Sequence, residues 1–212
     1  MKKYKLYLFD FDGTVVDSFP SLYHVFDKAY KAVGITIQES DIPQLAREPL
    51  VVGYERFGGK EEDIPLFAKV IEEAVDSHDA TIETITFPDS EKFFCYVTEH
   101  QIPCGIVTSN KIPHVKDVLE YLNLPYDSFV VFVGNQEIEN FKPHPEPILR
   151  ALEFLNYQGS LKDVVYVGDG LNDMLAAKRA GVDAVLVDRS NEFPDSDDYV
   201  RIKGLMDLFI ES

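Results

Sequence analysis

The chain has little cysteine, few basic residues, and no internal repeat or low-complexity tract. Its two cysteines, Cys95 and Cys104, form no CxxC and keep no histidine spacing of a zinc site, so neither a disulfide framework nor a zinc centre is expected. Cys95 falls in a helical pattern and Cys104 in a strand pattern, and both are read as core thiols. The 20 Lys and Arg against 37 Asp and Glu leave a formal net charge of −17. That balance excludes nucleic acid and an anionic membrane surface as partners, because phosphate backbones need clustered Lys and Arg. Any anionic substrate must be small and locally neutralised. The N-terminal MKKYKLYLF starts basic, but Asp10 and Asp12 interrupt its apolar run at once, which excludes a signal peptide or a spanning helix. A soluble, cytoplasmic protein is the expectation.

What the chain does have is 212 residues, 45% of them apolar, enough for one ordinary domain or a core with a smaller insertion. Short apolar runs rich in Val, Ile, Tyr and Phe recur at residues 5–9, 103–108, 129–134, 163–168, 183–188 and 199–202. Continuous apolar strands separated by helical patterns indicate a parallel sheet covered on both faces. In residues 145–157 the set Ile148, Leu149, Leu152 and Leu155 keeps helical spacing between opening prolines and Gly159. Residues 171–180 behave likewise and stop at Gly181. The alternation runs unbroken from about residue 82 to the C-terminus. The first strand, however, is separated from it by a stretch with helical spacing only, as in Leu22, Val25, Phe26, Ala29 and Val33. These patterns predict an α/β fold: a doubly wound parallel-sheet core, residues 1–17 and 82–212, with a helical insertion at residues 18–81.

The segment YLFDFDGTVVDS, residues 7–18, sets Asp10 and Asp12 one residue apart at the end of an apolar strand. Like charges about 4 Å apart repel by roughly 4 kcal/mol at an effective dielectric near 20, so the pair calls for a cation or a proton. In doubly wound sheets ligand chemistry collects at the carboxyl ends of the strands. There the sequence delivers Asp10, Asp12, Gly13 and Thr14, then Thr108, Ser109 and Asn110, then Lys142 in FKPHPEP, then Asp169 and Asp173 in GDGLND.

DFDGTVVDS, VTSN, FKPHPEP and VGDGLNDMLAAKRAGV resemble, in order and separation, the four motifs of haloacid dehalogenase-like hydrolases. The insertion resembles the cap of the branch containing phosphoglycolate phosphatases and β-phosphoglucomutases. The resemblance implies a Rossmann-like core with a cap domain, and a magnesium-dependent phosphatase whose cap closes over a small phosphomonoester. Asp10 is the candidate nucleophile, dividing ester hydrolysis into two displacements through an aspartyl-phosphate. Asp12 is the candidate general acid and base, with Thr14 able to fix its orientation and Gly13 allowing close approach to phosphate. The resemblance assigns magnesium (Mg2+) to Asp10, the main-chain carbonyl of Asp12, Asp169 and, through water, Asp173. The alternative reading of Asp173 is a helix N-terminal acid.

Thr108 is expected to donate to a phosphoryl oxygen beside the amides of Ser109 and Asn110, although the same residues read as a helix cap. Lys142 is expected to offset charge on the phosphoryl group and Asp10. His114 and His144 read as surface or capping residues, and Tyr54 and Phe57 as cap core. Arg47 falls where relatives place a specificity loop and reads as a contact for an anionic substrate tail or as a surface arginine. An EF-hand is excluded because Thr14 and Ser21 stand where it needs acids. Two alternatives accompany the phosphatase. One is a phosphomutase, which shares every catalytic residue. The other is a phospho-acceptor signalling module, whose acceptor would end the third strand, where Gly134-Asn135 stand here. The expected partner is a small phosphorylated metabolite, with the protein a monomer or homodimer.

Overall fold

The computed structural model describes residues 1–46, 50–76, 79–127 and 129–210. The chain divides into two compact units, Met1–Val16 with Thr86–Ser212, and Asp17–Ile85.

The first unit is a three-layer α/β fold. Six parallel strands, β1 (Leu6–Phe9), β2 (Cys104–Val107), β3 (Phe129–Val133), β4 (Val164–Gly168), β5 (Asp183–Val187) and β6 (Val200–Ile202), stand in the order β3-β2-β1-β4-β5-β6. The order reverses between β1 and its neighbours, which is where a doubly wound sheet opens a crevice at its carboxyl edge. Alternation explains why β1 is apolar throughout. Tyr7 and Phe9 pack in one core with Phe93, Val97, Val115 and Val118, while Leu6 and Leu8 pack in another with Ile148, Leu152, Met174 and Ala177. Both faces are therefore buried under helices, Ser90–Glu99 and Ile112–Tyr121 against the first core, Glu146–Phe154 and Leu171–Ala180 against the second. Each fully buried Leu or Phe of this kind contributes about 1.5–3 kcal/mol. β3 and β6 are the edges: burial alternates along β3, where Val130 is exposed, and β6 runs from exposed Val200 to buried Ile202.

The reading of both cysteines as core thiols is half corrected. Cys104 is buried in β2, but Cys95 is exposed. In Ser90–Glu99 the buried side is made by Phe93, Phe94 and Val97, and residue 95 lies about 200° around the helix from Phe93.

The second unit is helical, with its longest helices at Phe19–Ala32 and Ile64–Asp76. Its core is aromatic: Tyr54 packs on Phe67 with ring centroids 4.5 Å apart, and Tyr30 lies 4.8 Å from Phe67 and 5.6 Å from Phe57. Tyr54 is buried and donates its hydroxyl to the Lys60 carbonyl. The ends of the unit meet in an antiparallel bridge, where Asp17 and Ile85 exchange both backbone hydrogen bonds at 2.9 Å. Sequence patterning places the boundaries at 17/18 and 81/82; the bridge lies within the second unit. Among the described residues no helix is long and apolar enough to cross a membrane.

Candidate active site

Three parallel strands end side by side in polar residues. Asp10 follows β1, Thr108 follows β2, and Asp169 follows β4, while Lys142 comes in from the loop after β3. The Asp10 backbone continues the ladder by donating to the Val167 carbonyl at 2.8 Å, and Thr108 donates to Val133 at 2.9 Å. Pairing thus sets the height at which each side chain emerges.

The Lys142 ammonium lies 2.9 Å from Asp10 Oδ1 and 2.8 Å from Asp173 Oδ1, with all three side chains 14% exposed or less. Its third contact is the hydroxyl of Tyr166, at 3.1 Å. Arg179 donates to the Pro143 carbonyl at 2.8 Å, which holds the loop beside Lys142. The Glu146 carboxylate accepts from the backbone amides of Glu139 and Asn140 and braces the same loop. His144 is half exposed, and its Nδ1 accepts from the Glu146 amide, a turn-capping contact.

Carboxylate oxygens of Asp10, Asp169 and Asp173 lie within 4.8 Å of one another. One ammonium among three carboxylates leaves a deficit of positive charge. The Asp10 carboxyl is pushed up to about 8, chiefly by burial, with Lys142 opposing the shift and Asp173 and Asp169 adding to it. On Lys142, burial works against the charged form, but Asp10 and Asp173 prevail and hold the ammonium well above its usual range. A converging set of hard oxygen donors with too little positive charge fits magnesium. The other oxygen of Asp173 serves the fold: Oδ2 accepts from the Gly170 amide at 3.0 Å and caps the helix Leu171–Ala180. The helix N-terminal reading of Asp173 has this contact, and the residue stays within the carboxylate cluster.

Gly13 is the turn that admits this cluster. It has φ +72°, and a Cβ there would stand 2.5 Å from Asp169 Oδ2. A side chain is excluded by both backbone and space. Gly168 is similarly pressed, since a Cβ would lie 2.4 Å from Asp173 Cγ.

Asp12 does not converge on the carboxylate cluster; its Oδ2 accepts from the Asn110 side-chain amide. The Asn110 backbone amide donates to Thr108 Oγ1 at 3.1 Å, so one residue touches both the acid and the hydroxyl of the neighbouring strand end. Ser109 is exposed at the turn. Thr14 corrects the expectation attached to it: its hydroxyl is buried without a hydrogen-bond partner among the described residues, and Asn110 makes the contact to Asp12 instead. Thr14 acts through its backbone, whose carbonyl accepts from Arg189 Nη2 at 3.1 Å. Arg189 also pairs with Asp89 at 2.8 Å and lies 3.8 Å over the Phe87 ring. Arg47 lies outside the described residues.

Tyr166, Arg179 and Arg189 escaped the sequence reading. A hydroxyl inside the otherwise apolar VVYVG run is a signal for the first. The two arginines act on main-chain carbonyls 36 and 175 residues away, which leaves no local pattern.

Comparisons with known proteins converge on one family. A family model described as haloacid dehalogenase-like hydrolase matches residues 7–187. The phosphoglycolate phosphatase of Yersinia pseudotuberculosis serotype I (strain IP32953) is 28% identical over 179 residues, 82% of this chain and 76% of that protein. The phosphoglycolate phosphatase of Escherichia coli (strain K12) is 28% identical over 200 residues, 84% of this chain and 78% of that protein. A solved structure from Bacteroides fragilis, named as a candidate haloacid dehalogenase-like hydrolase, superposes with a TM-score of 0.83 at 26% identity and covers 97% of this chain and 100% of its own.

Proposed function

The chain belongs to the haloacid dehalogenase-like hydrolases and is a phosphoric monoester hydrolase, and we propose that it is a magnesium-dependent phosphatase of small, phosphoglycolate-like esters working through an aspartyl-phosphate. The observation that carries this reading is the contact of Asp10 with Lys142 beside two further acids, one after β4 and one on the helix that follows. The matched relatives named phosphoglycolate phosphatase support the substrate class.

Oδ1 of Asp10 is held by the Lys142 ammonium and by the Phe11 amide at 2.8 Å. That leaves Oδ2 as the attacking atom. Its lone pair forms a bond to phosphorus as the bond from phosphorus to the ester oxygen breaks. Asp12, protonated on Oδ1 while Oδ2 accepts from Asn110, gives its proton to the departing alkoxide. Asp12 then takes a proton from water as that water oxygen bonds to phosphorus and the bond to Asp10 breaks. Inorganic phosphate leaves, and both acids return to their starting states. Thr108 accepts from the Asn110 amide and so has its own hydroxyl proton to offer a phosphoryl oxygen. Asp10, Asp169, Asp173 and the Asp12 carbonyl would hold magnesium, which when bound supplies positive charge to the carboxylates and the phosphoryl oxygens.

The test is phosphate release from p-nitrophenyl phosphate and a panel of small phosphomonoesters, with and without EDTA. Hydrolysis silenced by EDTA and restored by magnesium is the expected result; metal-independent turnover overturns the site as assigned. Including β-glucose 1-phosphate with its bisphosphate activator separates phosphate release from transfer to a sugar hydroxyl, the outcome a mutase would give.

A further inference from the structure

We propose that Tyr166 is a positioning residue for this reaction: its phenol fixes the Lys142 ammonium against Asp10 and ties it to the strand end that carries Thr108. The proposal rests on the roles given to Asp10 and Lys142 above.

Tyr166 sits in β4, fully buried between Val165 and Val167, with its side chain in the core formed with Leu8, Val107 and Ile148. A hydroxyl in such surroundings is unfavourable unless it is hydrogen-bonded. Its oxygen lies 2.9 Å from the Val107 carbonyl and 3.1 Å from Lys142 Nζ. The directions of these two bonds are forced. A carbonyl has no proton and an ammonium has no lone pair, so the phenol donates to Val107 and accepts from Lys142. Lys142 then has one acceptor for each of its three protons: Asp10 Oδ1, Asp173 Oδ1 and the phenol.

The three mounts are not equivalent during the reaction. When Asp10 bonds to phosphorus its carboxylate charge is consumed, and that mount weakens. The phenol is neutral throughout and is anchored to a backbone carbonyl. It therefore holds the ammonium in place while the charge that Lys142 must offset moves onto the phosphoryl group. Val107 immediately precedes Thr108, so the same phenol fixes the ammonium relative to the hydroxyl expected on another phosphoryl oxygen.

Tyr166→Phe removes one oxygen and keeps the ring. The expected result is a kcat for p-nitrophenyl phosphate about 10- to 100-fold lower, the range found when a group orienting a functional ligand is lost, with KM changed less than about 2-fold. The second measurement is a cycle with Lys142→Met, read by single-turnover hydrolysis at high enzyme concentration and by thermal melts. If Tyr166 acts through Lys142, adding Tyr166→Phe to Lys142→Met changes the rate less than about 2-fold, and the two substitutions are non-additive in the melting temperature, as expected of residues in contact. A wild-type kcat in Tyr166→Phe overturns the proposal, as does an equal fractional loss in both backgrounds, which would mark a general packing role. Wild-type turnover in Lys142→Met would instead overturn the reading of the site itself, a result distinct from either.

Discussion

The two ends of the sheet carry the same kind of ion pair in opposite settings. At the amino end Lys5 meets Asp163 at 2.7 Å and Lys2 meets Asp183 at 2.9 Å, with the lysines 73% and 47% exposed. At the carboxyl end Lys142 meets Asp10 and Asp173 at similar distances while 8% exposed. Distance does not separate these pairs; solvent does. Exposed pairs are screened by water and by salt, whereas a buried pair keeps its Coulomb interaction and shifts the protonation of its members. A net charge of −17 spread over a surface is a matter of solubility, but a few of those acids, gathered where strands stop, become chemistry.

The most severe way to break the contrast is at the buried end. Asp10→Asn replaces the carboxylate proposed to attack phosphorus, and p-nitrophenyl phosphate hydrolysis is expected to fall at least about 10³-fold. The melting temperature should stay level or rise, since one of three crowded acids is gone. Gly13→Ala comes next. Its methyl group would press on Asp169 and force a left-handed backbone, so half-maximal activity should need roughly 10-fold more magnesium.

Asp188 sharpens the comparison because it is a buried acid at the same end without a reacting partner. It is 2% exposed and accepts from the Glu192 and Phe193 amides and from Arg201. Asp188→Ala should cost about 1–3 kcal/mol in urea unfolding and leave kcat unchanged. Burial alone would raise the Asp188 pKa, but the two amides, with Lys203 and Arg201, bring it below the usual value. Its stabilisation is therefore full above the unfolded carboxyl value near about 3.9 and is lost as pH falls through the lower folded value, where the gap between wild type and variant should close. At the exposed end, Lys5→Ala should change neither melting temperature nor turnover; a measurable loss would show that solvent is not what separates the two ends.

All six strands and the helices 146–154 and 171–180 were legible because both faces of the sheet are buried and the helices are amphipathic. Asp10, Lys142, Asp169 and Asp173 were legible as residue types at strand ends, and the structure brings them together. Cys95 was misjudged because its apolar neighbours Phe93, Phe94 and Val97 occupy the other side of the same helix. The contact from Asn110 to Asp12 bridges 98 residues, and that from Tyr166 to Val107 bridges 59. Pairings across that much chain are decided by which strands become neighbours in the sheet, and no local periodicity records them.

The bridge between Asp17 and Ile85 brings the two ends of the helical unit within a hydrogen bond of each other. A segment whose ends already touch closes on itself, so it can be lengthened, shortened or exchanged like a cassette while the strands on either side keep their register.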